Sequence, residues 1–317
     1  MQEAFFITFG KMAQILGLLV IGFVLRKIKV LPEQTPKVMS GLSAKLFLPC
    51  LMLYSNIEKC TVQNLSENAN LVLYGLLFSV ISVGLAYLLA PVFEREDIAL
   101  KRQYRYSVAI PNTGAAAVPL ALELFGLNGV FQLGLFLLVN SIFTYSWGMV
   151  QLIPQKGNGL KSFLRRLCNP VMIALVSGMV LGLLGGSEWI PDAALSLMSD
   201  LSDCYVPASL MLVGYAIAGF DLGKLLKSAR IYAFTALRLL GLPLFFLGLC
   251  LALNAPATVM LLAAIVYAGP CGMNPIVFGA EYGTDTEQAS GLLLVTMILC
   301  VITLPLVYAV AIWVTGG

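Results

Sequence analysis

The chain has 317 residues, 59% hydrophobic and 11% charged, with a mean hydropathy of +0.91 and a net charge of +3. Soluble domains average about 45–50% apolar and about 25% charged, which places this chain outside that class, and basic residues confined to short loops give no nucleic-acid surface. With no histidine there is no imidazole base or ligand, and seven cysteines without close pairs or metal-type spacing exclude a disulfide framework and a metal site.

Apolar runs of about 20 residues, the length that crosses hydrocarbon, recur from end to end. Ten spans are predicted, at 5–26, 38–57, 69–93, 105–126, 128–153, 168–186, 193–220, 231–253, 256–281 and 287–314. The first has no charged segment before it and no small-residue cleavage site after it, so it reads as a retained span. "KIKVLPEQTPK" separates spans one and two, "EREDIALKRQYR" three and four, and "PQKGNGLKSFLRR" five and six. Arg26, Lys27, Lys29, Lys37, Arg95, Lys101, Arg102, Arg105, Lys156, Lys161, Arg165, Arg166, Lys224, Lys227 and Arg230 all fall in alternate loops. Basic loops stay cytoplasmic, so both termini are expected outside. The loop "EYGTDTEQ" carries no base and does not bear on orientation.

The halves echo each other. "LVIGFVL" (19–25) matches "LVSGMVLGL" (175–183), and "LFLPCLML" (46–53) matches "CYVPASLML" (204–212). "IPNTGAAAVPLALELFG" (110–126) matches "AGPCGMNPIVFGAEYG" (268–283) in the same order. Five spans per half make the second half inverted, and inverted repeats with broken helices mark secondary transporters. The expected fold is an all-α polytopic membrane protein of ten transmembrane helices. Two inverted five-helix repeats, 1–153 and 167–317, are joined by a short cytoplasmic linker at 154–166.

Spans four and nine carry polar interruptions near mid-depth. A proline inside a helix removes a backbone donor and clashes with the preceding turn, and freed backbone groups cannot face lipid. In span four Pro111 ends the first half, and Asn112 or Thr113, followed by Gly114, can cap the second. In span nine Gly269, Pro270 and Gly272 end the first half, and Asn274 followed by Pro275 reads as an N-cap and first helical position. Two half-helix N-termini then begin near the midplane. Each carries about half a positive charge and unpaired N–H groups, an anion site that needs no fixed cation. The alternative is that proline and glycine merely kink the spans.

The "FLP" of span two, the "NTG…PLALELFG" of span four, the "VPASLMLVG" of span seven and the "NPIVFGAEYG" of span nine together resemble the auxin efflux carrier family in its short-loop, prokaryote-like form. The resemblance covers essentially the whole chain. It implies the fold of bile-acid sodium symporters, with helices four and nine crossing at mid-membrane. Spans 1, 2, 6 and 7 would form a scaffold, and spans 3–5 and 8–10 a transport domain. It places Pro111, Asn112, Thr113, Pro270 and Asn274 at the crossover and implies a small organic acid such as malate or malonate as substrate. The long hydrophilic loop of plant auxin carriers is absent, and so is the acidic residue that sodium-coupled relatives carry at the ninth-span break.

Ionisable groups at membrane depth are functional candidates. Lys45, Asp200, Asp203 and Arg238 are read as coupling or gating residues, Lys45 and Asp203 each standing four residues before a motif proline, Pro49 and Pro207. Snorkelling to the interface is the plainer reading of such charges, and Glu123 and Glu281 are read as interfacial. The expected function is a secondary transporter of a small organic anion in the cell membrane, the inner membrane of a bacterium. No cofactor, no metal and no nucleic-acid partner are expected, and a homodimer is left open. A ligand-binding sensor or a channel on the same fold is the alternative. An intramembrane enzyme is weaker, because Asp200 and Asp203 have no matching base or metal cluster.

Overall fold

The computed structural model describes residues 2–32, 34–152, 168–218, 229–272, 274–276 and 287–316. The linker at 154–166, Lys224, Lys227, Glu281 and the loop between spans nine and ten lie outside the described residues. Within them the chain is all-helical, with no strand element. The first half contains α1 (Gln2–Lys27), α2 (Thr35–Leu42), α3 (Leu48–Lys59), α4 (Val62–Asn68), α5 (Asn70–Phe93), α6 (Ile98–Ala109), α7 (Val118–Phe143) and α8 (Met149–Leu152). The second contains α9 (Pro170–Leu183), α10 (Gly186–Trp189), α11 (Asp192–Asp203), α12 (Tyr205–Ile217), α13 (Ala229–Ala236), α14 (Leu242–Ala252), α15 (Ala257–Tyr267) and α16 (Glu287–Val314).

Local chemistry sets many of these ends. Asp97 accepts from the N–H groups of Ala99 and Leu100 at the start of α6. Asn169 accepts from Val171 and Met172 at the start of α9, with Pro170 in the first turn. Wide π-helical turns at Ser43–Phe47, Thr113–Ala117 and Leu237–Gly241 each precede a proline: Pro49, Pro119 and Pro243. A proline supplies no N–H and crowds the carbonyl four residues back, and a widened turn is how a helix absorbs that without breaking.

Five helical stretches are long and apolar enough to cross a membrane: Val38–Lys59, Val62–Phe93, Val118–Leu152, Ala229–Ala252 and Gln288–Val314. The apolar helices α9, of 14 residues, and α15, of 11, are shorter. At 1.5 Å per residue α15 is about 16 Å long, half the hydrocarbon thickness. This is the length a helix has when it stops at mid-depth. The 35-residue stretch Val118–Leu152 is not one straight rod. Gly126 at φ 64, ψ −157 turns the chain within it, at the boundary the sequence places between spans four and five.

The described chain groups into two compact units. The first comprises residues 1–73, 118–137 and 164–219. In it α3 packs along α9, and α1 along α12, through glycines. A Cβ on Gly178 would lie 2.8 Å from the Leu53 carbonyl oxygen and 2.9 Å from Asn56 Cβ, and one on Gly22 or Gly214 would overlap the carbonyl of Met211 or Leu19. In lipid no hydrophobic force pulls helices together, so close backbone approach through small residues supplies the packing. On α9, Ile173, Val176, Val180 and Leu183 point outward at helical spacing, a lipid-facing stripe.

The second unit comprises residues 74–117, 138–163 and 220–317. Its buried core is aromatic. Tyr104, Phe93 and Phe234 lie with ring centroids 5.0–5.5 Å apart, and Phe246 stacks on Tyr267 at 3.8 Å beside Phe78. The interruptions of both spans lie in this unit.

Candidate functional site

Helix α6 ends at Ala109, and Ile110 is already extended, at φ −112, ψ 108. Pro111 has no N–H to return to the Ser107 carbonyl, and the next residue, Asn112, gives its N–H to the Pro270 carbonyl at 3.0 Å. Pro111 and Cys271 form an antiparallel bridge. The two interruptions therefore satisfy each other: each is an extended segment of a few residues, laid antiparallel to the other. Cys271 donates its N–H to the Thr296 hydroxyl of α16 at 3.1 Å, so a neighbouring helix takes up another backbone group that the break releases. These exchanges give partners within the protein to backbone groups that the breaks release.

Pro111, Pro270, Gly272 and Pro275 are buried, whereas Asn112, Thr113, Gly114 and Asn274 are half-buried. The helical turn resumes at Thr113 in span four and at Asn274 in span nine, where it is described as far as Ile276. The Asn274 side-chain amide donates to the Tyr106 hydroxyl at 2.6 Å. Tyr106 is fully buried in the last turn of α6. Gly272 lies against its ring, where a Cβ would sit 3.1 Å from Tyr106 Cε1, and Gly148 lies against the other edge at 2.9 Å from Cε2 on the same basis. Two glycines thus leave room for one tyrosine, and the tyrosine holds the asparagine.

Of the residues read from the sequence as coupling or gating candidates, Arg238 lies at the breaks. Arg238 lies in the π-helical turn after α13, is 0% exposed, and donates from Nε to the Gly269 carbonyl at 3.2 Å and from Nη1 to the Val108 carbonyl at 3.0 Å. Both breaks are held by this one guanidinium. The sequence signal was a lone arginine in the apolar run "AFTALRLLGLPLFF", but its partners are 130 and 31 residues away. Tyr106 and Thr296 gave no sequence signal at all, since each reads as ordinary helix filling.

The other charged candidates are not brought to the breaks. Lys45, Asp200 and Asp203 are exposed in the first compact unit, with no ion pair between them among the described residues. Glu123 is half-buried in α7. No group of three or more Cys, Asp or Glu gathers among the described residues in a way that could hold a metal.

A family model described as membrane transport protein matches residues 7–308. No individual curated protein matches the chain significantly. The chain belongs to the membrane transport protein family, the auxin efflux carrier family.

Proposed function

We propose that this member of the auxin efflux carrier family, a multi-pass membrane transporter by that membership, is a secondary carrier of a small organic anion, working by alternating access. The observation that carries the reading is the mutual pairing of the two broken spans, Pro111 against Cys271 and Asn112 N–H on the Pro270 carbonyl. Non-helical backbone at membrane depth is tolerated where protein buries it or where it lines a cavity, and in secondary transporters broken helices of this kind form the substrate site. The residues assigned to the substrate are Asn112, Thr113, Gly114 and Asn274, half-buried beside buried Pro111, Pro270, Gly272 and Pro275. They offer side-chain amide, hydroxyl and backbone donors of the kind a carboxylate takes.

Two further features support an inverted repeat of ten spans. Gly22 and Gly178 occupy matching positions in the echoed motifs, and Leu53 and Met211 each stand four residues after the motif prolines, Pro49 and Pro207. Gly22 packs on Met211, and Gly178 on Leu53. Matched glycines thus make matched contacts, span one on span seven and span six on span two, which is what a two-fold relation between halves produces. Spans one, two, six and seven fall in one compact unit, together with residues 118–137 of spans four and five, and that grouping supports a scaffold built on the first four. Both termini are placed outside, because fifteen of the nineteen lysines and arginines fall in the alternate loops named above.

Purified protein in liposomes should move radiolabelled malonate or malate down a gradient and release it chemically unchanged. Saturable binding without flux would instead make the chain a sensor, and a chemically altered product would make it an enzyme.

A further inference from the structure

The arginine at the breaks carries a charge argument. Val108 is the penultimate residue of α6, and Gly269 lies just past the end of α15. Both carbonyls held by Arg238 therefore belong to helix C-terminal ends. A helix C-terminus carries about half a negative charge, concentrated on its last unpaired carbonyls. Two such ends at one place amount to about one negative charge, and the guanidinium supplies one positive charge. Its Nη2 group has no hydrogen-bond partner, and no carboxylate pairs with it, among the described residues. The partners described for this buried charge are thus the two half-helix ends.

In carriers built on broken helices, unwound carbonyls and half-helix C-termini are where a coupling cation is held. Here that place is taken by a side chain. We propose that Arg238 is a built-in counter-cation for the C-terminal ends of α6 and α15, standing where a coupled carrier would bind its coupling ion. The anion then moves without a bound sodium ion, as net negative charge driven by the membrane potential. The second part of the inference rests on the carrier reading above; the first does not.

The test uses melting temperature, which reads the counter-cation independently of any flux. Arg238→Met removes the charge at similar length, and Arg238→Lys keeps it. The purified Met variant should melt well below the wild type and recover in part with low-millimolar methylguanidinium, which leaves the wild type unmoved. The Lys variant should fall between the two and gain little from the added cation. If the Met variant folds only when purified with methylguanidinium, that also supports the proposal. A Met variant as stable as the wild type would overturn it, as would Met and Lys variants that fail alike and ignore methylguanidinium. In liposomes, wild-type malonate flux should persist when choline replaces sodium and should follow an imposed voltage. Flux that stops without sodium refutes the coupling part and leaves the melting result standing, whereas absence of any carboxylate flux counts against the carrier reading alone.

Discussion

The bond between Asn274 and Tyr106 links the end of α6 to the restart of span nine, and its loss can be followed quantitatively. In Asn274→Ala the Tyr106 hydroxyl, in a residue that is 0% exposed, loses the hydrogen bond it accepts from the amide. One such bond contributes about 0.5–1.5 kcal/mol net. In Tyr106→Phe the hydroxyl itself is gone and the half-buried asparagine can turn elsewhere, so the cost should be near that of one ordinary hydrogen bond, about 0.5–1.5 kcal/mol. The double variant should cost less than the two singles together, because the bond they share can be lost only once; coupling between contacting residues runs about 0.5–3 kcal/mol. The assay is a four-member cycle of unfolding free energies in one detergent, with malonate affinity measured alongside. If Tyr106 positions the asparagine for a carboxylate, Tyr106→Phe should weaken malonate binding by up to about tenfold, since 1.4 kcal/mol is one decade. Single effects that add to within about 0.3 kcal/mol would show that the two side chains do not act as a pair. Unchanged malonate affinity in both singles would refute the positioning role.

Gly178→Ala should destabilise by about 1–3 kcal/mol, the usual cost of overpacking, because its Cβ meets the Leu53 backbone; Gly248→Ala, with nothing within 4 Å, should be neutral or slightly stabilising, and equal melting shifts would refute the close-approach argument. In a cysteine-free background, Glu96→Cys should resist an impermeant thiol reagent added outside intact cells while Ser187→Cys reacts, both positions being exposed; the opposite pattern would reverse the orientation. The Glu94 carboxyl, at the end of α5 and outside the spans, is held below its ordinary value first by the N–H groups of Glu96 and Asp97 and then by Arg230, whose Nη1 lies 2.7 Å from it. A depressed carboxyl contributes stability that is present above the unfolded value, 4.5, and is lost as pH falls through the folded one. The wild-type melting temperature should therefore drop more steeply below that pH than that of Glu94→Gln, and identical slopes would remove Glu94 from the account.

Membrane residence, the positions of the breaks and the polar residues within them were determined by the sequence alone, because each is a local property. An apolar run announces a span by its length, and a proline cannot donate an N–H in any tertiary context, so "IPNTG" and "GPCGMNP", where prolines stand beside glycine and asparagine, marked the candidate interruptions. Gly126 was legible as a boundary for the same reason, since its φ of 64 suits a residue without Cβ. What the released backbone groups would find was not local. The antiparallel pairing of Pro111 with Cys271, the Asn274 bond to a tyrosine 168 positions earlier, and the glycine contacts of Gly22 and Gly178 depend on which helices lie together. Arg238 shows the difference most plainly. From sequence it is one charge in an apolar helix, suited to a gate, a coupling site or the interface. Only the folded chain carries the ends of α6 and α15 to its guanidinium, and their two carbonyls turn a costly buried charge into the counter-charge that holds both breaks.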